Sequence, residues 1–122
     1  MKGYDLDGVI CPEYTWIEGA TPEEVLARTF DLRPIFQPKD DYYIITGRTN
    51  VDTTLAWIDA KLHKKPVKTF INSQGLQPAY YKATILNSNP QITMFFESEF
   101  EQANEIQLLT NIDIIWIDSN FT

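Results

Sequence analysis

Tyr42-Tyr43-Ile44-Ile45-Thr46-Gly47-Arg48 is a run of four aromatic and aliphatic residues that ends in a hydroxyl, a glycine and a cation. The apolar part is continuous, not alternating. A strand with one wet face would alternate, whereas a parallel strand covered on both faces reads as an unbroken apolar run. Parallel strands also need a crossover between them, usually a helix. One follows here: Val51, Leu55, Ile58 and Leu62 recur at helical spacing, predicting a helix from Val51 to about Lys64 with those four as its buried stripe. Lys61, Lys64 and Lys65 fall at its C-terminal end, where the helix dipole favours cations, and His63 among them reads as a surface residue.

The pattern repeats toward the C-terminus. Val67 to Ile71 reads as the next strand, and a Ser-Gln-Gly turn with Pro78 leads into a short helix over Ala79 to Leu86 that carries Lys82. Ile92 to Phe96 is a further strand ending in Glu97. A helix from Glu99 to about Leu109 follows, with Phe100, Ala103, Ile106 and Leu109 on one side, and Ile112 to Ile117 is a last strand ending in Asp118. Strands alternating with helices define a doubly wound α/β domain, three layers deep, around a mainly parallel five-stranded sheet of Rossmann-like type.

Toward the N-terminus, Thr21-Pro22-Glu23-Glu24 is a helix start, with threonine as cap and proline in the first turn. That helix is expected to reach Phe30 and to be stopped by Pro34 and Pro38. Val9 to Ala20 has neither period and reads as a loop leaning over the first strand. Its Tyr14 and Trp16 are candidates for lining a site mouth, although simple loop packing is the better reading. The chain opens with Met1-Lys2-Gly3-Tyr4-Asp5-Leu6-Asp7-Gly8, a very short strand ending in two carboxylates one residue apart. On a regular strand Asp5 and Asp7 share a face and Leu6 enters the core. Gly8 lets the backbone leave sharply. Taken alone, the pair is equally a solvated turn or a cation site.

Composition sets bounds. The 122 residues suit one domain over residues 1–122, at 43% hydrophobic and 22% charged. No apolar run approaches a membrane span, and no basic-and-apolar leader precedes the first strand, so a cytoplasmic location is expected. The single cysteine, Cys11, excludes an internal disulfide and a cysteine-clustered metal site. Ten basic against seventeen acidic residues give a net charge of -7, which argues against extended nucleic-acid binding. A phosphorylated substrate stays compatible where a divalent cation and a few local cations offset the field.

Asp5, Asp7, Thr46 and Glu97 each lie at the C-terminal end of an expected strand, the edge where open parallel sheets bind ligands. A turn of its helix could bring Lys82 to the same edge. A carboxylate, a hydroxyl followed by free backbone N–H groups at Gly47 and Arg48, a lysine and a magnesium ion are the parts of phosphoryl transfer through a carboxylate nucleophile.

These residues resemble the haloacid dehalogenase superfamily of phosphohydrolases. Asp5-Leu6-Asp7-Gly8-Val9 matches its first motif, Thr46-Gly47-Arg48 its second, Lys82 its third and Glu97 its acidic fourth. The resemblance spans nearly the whole chain. It implies that Asp5 is the phosphorylated nucleophile and Asp7 the general acid and base. It further implies that Thr46, Gly47, Arg48 and Lys82 hold the phosphoryl group, and that Asp5, the Asp7 carbonyl and Glu97 bind Mg²⁺. The family's strand order is 5-4-1-2-3, which sets the first and fourth strands side by side. This chain departs from the pattern twice. Ser98 follows Glu97 where the family carries a second acid, leaving Glu99 or Glu101 for a water-mediated contact. The intervals between motifs leave no room for the family's cap domains.

The function expected is therefore a capless, Mg²⁺-dependent phosphatase hydrolysing phosphomonoesters. Its open site would suit a bulky substrate such as a nucleotide, a nucleic-acid end or a phosphoprotein. Arg48 and the lysines from Lys61 to Lys68 are candidate substrate contacts, though solvated surface is the simpler reading. The rival is a catalytically weakened domain of the same type that binds metal, phosphate or a protein partner. Transfer to an acceptor other than water would use the same residues.

Overall fold

A computed structural model describes residues 1–13, 19, 21, 23, 24, 27 and 30–118. Five strands are seen: β1 (Lys2–Tyr4), β2 (Tyr42–Thr46), β3 (Lys68–Ile71), β4 (Met94–Glu97) and β5 (Asp113–Trp116). Between β2 and β3 lies helix α1 (Val51–Lys61), between β3 and β4 helix α2 (Pro78–Ser88), and between β4 and β5 helix α3 (Phe100–Leu109). All four strand pairings are parallel. The order is β3-β2-β1-β4-β5, which read from the other edge runs 5-4-1-2-3. The short strand β1 therefore sits in the middle, between β2 and β4.

Strand β2 explains why its sequence is unbroken. Tyr42 and Ile44 face one core with Leu6, Ile10, Trp57, Ile58 and Leu62, and so pack against α1. Tyr43 and Ile45 face the other with Ala79, Leu86, Phe95 and Ile106, from α2, β4 and α3. Successive side chains point to opposite faces, and both faces are covered, which makes three layers. Burying each of these aliphatic chains is worth roughly 1.5–3 kcal/mol. The tyrosines keep their hydroxyls satisfied: Tyr42 donates to the Lys64 carbonyl and Tyr43 accepts from Gln91 Nε2.

Helix α1 corrects the expected stripe. Val51 and Leu55 are exposed, and the buried residues are Thr54, Trp57 and Ile58. Trp57, the largest side chain of the helix, sets the face, and its indole N–H reaches the Leu32 carbonyl. The helix also stops at Lys61, not Lys64, because Leu62 leaves helical geometry to fill the core. Pro66 disfavours helix at Lys65, whose amine instead caps the carbonyls of Asp59 and Leu62. Asn50 starts the helix by accepting the Thr53 N–H.

In α3 only Ala103 and Ile106 of the expected stripe are buried, while Phe100 and Leu109 are half exposed. Helix α2 begins one residue earlier than expected, with Pro78 in its first turn, and runs to Ser88. Strands β3, β4 and β5 are each one or two residues shorter at their starts than the apolar runs. The helix expected over Thr21 to Phe30 falls largely outside the described residues, as do Tyr14 and Trp16; of its cap, the Glu24 N–H donates to Thr21 Oγ1. Among the described residues no helix is long and apolar enough to cross a membrane.

Candidate active site

Because every strand runs the same way, the residues that end β1, β2 and β4 reach one edge. The Asp5 N–H extends the β1–β4 ladder by donating to the Phe96 carbonyl at 2.9 Å, which brings Asp5 beside Glu97. Past Asp5 the chain turns tightly: the Leu6 carbonyl accepts the N–H groups of Val9, Ile10 and Cys11. Gly8 sits in that turn at φ 84, and a Cβ there would lie 2.6 Å from Ser98 Oγ. Only glycine meets both conditions.

The edge holds a cleft of about 260 Å³ lined by Asp5, Asp7, Gly47, Arg48, Lys82 and Gln102, with Glu13 and Ser98 on its rim. A larger hollow of about 640 Å³ opens at the opposite edge, around Met1, Lys2, Tyr4 and Phe36. Its charged residues, Lys2, Lys39, Asp40 and Asp41, are all exposed, whereas the smaller cleft brings together the buried Asp5, Arg48 and Lys82 and is where chemistry is concentrated.

Asp5 is 5% exposed. Its Oδ1 accepts the Leu6 N–H at 2.8 Å and lies 3.3 Å from Lys82 Nζ, while Ser98 Oγ is 3.4 Å from Oδ2. Burial pushes its carboxyl up to about 7; Lys82 opposes this and Glu97 adds to it. The Lys82 amine is also buried, and makes its shortest contact, 2.6 Å, with Glu97 Oε1. Gln102 Oε1 is at 2.9 Å. Burial pulls the amine's pKa down, but Asp5 and Glu97 outweigh it and hold it above the ordinary lysine value.

Asp7 points to a different partner. Arg48 closes on it from the end of β2, Nε to Oδ2 at 2.9 Å and Nη2 to Oδ1 at 2.5 Å. Arg48 is 8% exposed, so the reading of it as solvated surface is corrected. Its backbone N–H donates to Thr46 Oγ1 at 3.1 Å.

The sequence-derived set therefore divides. Asp5, Asp7, Gly47, Arg48 and Lys82 line the cleft together, whereas buried Thr46 and Glu97 stand behind it. Glu97 Oε1 holds Lys82 and Oε2 accepts the Glu99 N–H. Among the described residues, no three His, Cys, Asp or Glu side chains gather as a metal-binding group. A set of oxygens does converge: Ser98 Oγ lies 2.8 Å from the Asp7 carbonyl, 3.4 Å from Asp5 Oδ2 and 3.5 Å from Glu13 Oε1. An all-oxygen set with few carboxylates fits a hard cation that keeps part of its water shell, such as Mg²⁺. Gln102 and Glu13 were not anticipated. Polar residues at a helix start and in a loop carry no signal of their own, though Gln102 does follow Glu97 closely in the chain.

Compared with models of protein families, with curated proteins and with solved structures, the chain matches none. Its functional reading rests on its own residues.

Proposed function

We propose that this chain is a small phosphatase that hydrolyses phosphomonoesters through a phosphorylated Asp5. The observation that carries the reading is the placing of Lys82 Nζ 3.3 Å from Asp5 Oδ1, in a cleft at the C-terminal edge of a parallel sheet with Asp7 on its wall. An Asp5 oxygen attacks phosphorus and the bond to the leaving oxygen breaks, that oxygen taking a proton from Asp7. Water then attacks the phosphorus of the aspartyl-phosphate and gives its proton to Asp7. The P–O bond to Asp5 breaks, phosphate leaves and the carboxylate is restored. Lys82 faces the charge that gathers on the transferring group, and the Gly47 backbone N–H is a candidate donor to its oxygens, whereas the Arg48 N–H, expected to be free, is taken by Thr46 Oγ1.

Mg²⁺, when bound, would supply charge neutralisation between the nucleophile and the phosphoryl oxygens. The convergence about Ser98 Oγ favours Asp5 Oδ2 and the Asp7 carbonyl as its protein oxygens, with Glu13 beside them. Glu97 would join only by giving up Lys82. A capless layout favours bulky phosphorylated substrates and a cytoplasmic setting fits the composition, both as parts of this proposal.

The test is phosphate release from an aryl phosphate with Mg²⁺ and with chelator, beside Asp5→Asn at matched folding. Metal-dependent turnover that disappears in the variant is expected. Turnover that persists in Asp5→Asn would remove Asp5 as nucleophile. The diversion of Glu97 to Lys82 favours a second reading, a non-catalytic metal- or phosphate-binding module. Calorimetric Mg²⁺ binding without turnover across nucleotides, oligonucleotide ends and phosphopeptides would select it.

A further inference from the structure

An ammonium group has three N–H donors on a flexible four-carbon stem, and where they point is decided by the acceptors around it. Lys82 Nζ donates to Glu97 Oε1 at 2.6 Å and Gln102 Oε1 at 2.9 Å, and forms an ion pair with Asp5 Oδ1 at 3.3 Å. Glu97 is nearest and charged. Acting alone it would draw the amine down to the floor of the cleft, away from Asp5. Gln102 reaches in from the first turn of α3 and lines the cleft. It is the second fixed point, and with both bonds made the charged amine is held within ion-pair reach of Asp5.

Gln102 is also neutral. The cleft already carries Asp5, Asp7, Glu13 and Glu99, so a further acid there would repel an incoming phosphate dianion. An amide orients the ammonium through its carbonyl dipole and adds no charge. Since the ammonium can only donate, the amide must turn its oxygen to Lys82, which leaves Nε2 on the other side. Among the described residues Nε2 has no hydrogen-bond partner within the protein.

We propose that Gln102 is a positioning and substrate-binding residue: its Oε1 fixes the Lys82 amine on Asp5, and its Nε2 donates to an anionic oxygen of the bound substrate. This rests on the phosphatase reading for its catalytic part and on geometry alone for the hold on Lys82, and the two parts are tested apart. Gln102→Met keeps length and helix propensity but removes acceptor and donor. Gln102→Glu keeps the acceptor and replaces the donor with a charge.

The hold is read by NMR on protein carrying ¹⁵N-lysine, with the Lys82 ammonium signal assigned by its loss in Lys82→Met. A slowly exchanging signal is expected in the native protein and in Gln102→Glu, and exchange about tenfold faster in Gln102→Met. The substrate contact is read by kinetics with an aryl phosphate. Gln102→Met is expected to lose roughly tenfold in kcat, and Gln102→Glu to raise KM by about tenfold with a smaller change in kcat. An unprotected Lys82 signal in the native protein, or one unchanged in Gln102→Met, overturns the hold. Unchanged kcat and KM in both variants overturn the catalytic part. A native protein without turnover overturns the phosphatase reading and leaves the NMR result to decide the hold.

Discussion

Arg48 closes a two-point fork on Asp7, across 41 residues of sequence, with Nε 2.9 Å from Oδ2 and Nη2 2.5 Å from Oδ1. Two parallel bonds fix both the distance and the plane of a carboxylate, which a lysine with one point charge cannot do. Arg48→Lys is therefore expected to lower kcat/KM for an aryl phosphate by roughly tenfold, through loss of Asp7 orientation. Arg48→Ala should in addition cost about 1–2 kcal/mol in urea unfolding, because Asp7 is left partly buried without its partner. Full activity in Arg48→Lys would mean that the fork does not position Asp7 for proton transfer.

The Glu97–Lys82 pair lies deeper, with Glu97 fully buried and Lys82 2% exposed. Removing one member of a buried pair leaves an uncompensated charge, whereas replacing both with apolar residues of like volume is close to neutral. Glu97→Gln keeps an acceptor and Asp5 still faces the amine, so a loss of about 2–3 kcal/mol is expected, below the full penalty. The double variant Glu97→Leu/Lys82→Met should recover only part of it, because it also leaves buried Asp5 without its cation and the Glu99 N–H without its acceptor. If both proteins unfold at the native urea midpoint, the pair contributes nothing to the fold.

The sheet was readable in the sequence because period and punctuation carry it. Tyr42–Ile45 is buried on both faces as its unbroken pattern requires, and Pro78 marks a helix start, where its missing N–H has no partner to lose. On α1 the aliphatic spacing holds for Ile58 and Leu62, which are buried, and fails for Val51 and Leu55, because the buried Trp57 indole outweighs them in setting rotation. At the site, strand ends predict which residues share an edge. They do not predict partners. That Glu97 turns to Lys82, and Asp7 to Arg48, depends on rotamers and on register between β1, β2 and β4, information that is not local in the chain. Gln102 carried no signal because a polar side chain in a helix's first turn ordinarily faces water.

Cys11 lies beside the same arginine, its Sγ 3.6 Å from Arg48 Nη2, yet it is buried. Burial pushes its thiol up to about 12; Arg48 opposes that and Asp7 adds to it. The thiolate is the reactive form, so the native protein should fail to react with an aromatic disulfide reagent at pH 8 and should titrate one thiol once unfolded in guanidinium. Rapid labelling of the native protein would place the thiol in an exposed, ionisable setting and contradict its packing in the core.

Asp5 links the site to stability. Its carboxyl is raised from 3.8 to about 7, by burial first, so its folded-state pKa stands above that of the unfolded chain. The stability it contributes is present in full below about pH 4 and is lost as pH rises through about 7, where the native protein must hold an ionised carboxylate out of water. Asp5→Asn cannot ionise, and its amide oxygen can still accept the Leu6 N–H. In metal-free protein the variant should therefore gain on the wild type as pH rises from 4.5 to 8, by roughly 2–4 kcal/mol in denaturant unfolding. Titrating groups that do not face Asp5 are common to both proteins and cancel. A gap that is constant with pH would show that Asp5 is not strained by its setting. Millimolar Mg²⁺ should then narrow the gap at pH 8 by stabilising only the protein that binds it, in proportion to the logarithm of its concentration over the dissociation constant. A gap that Mg²⁺ leaves unchanged would remove Asp5 from the cation's ligands.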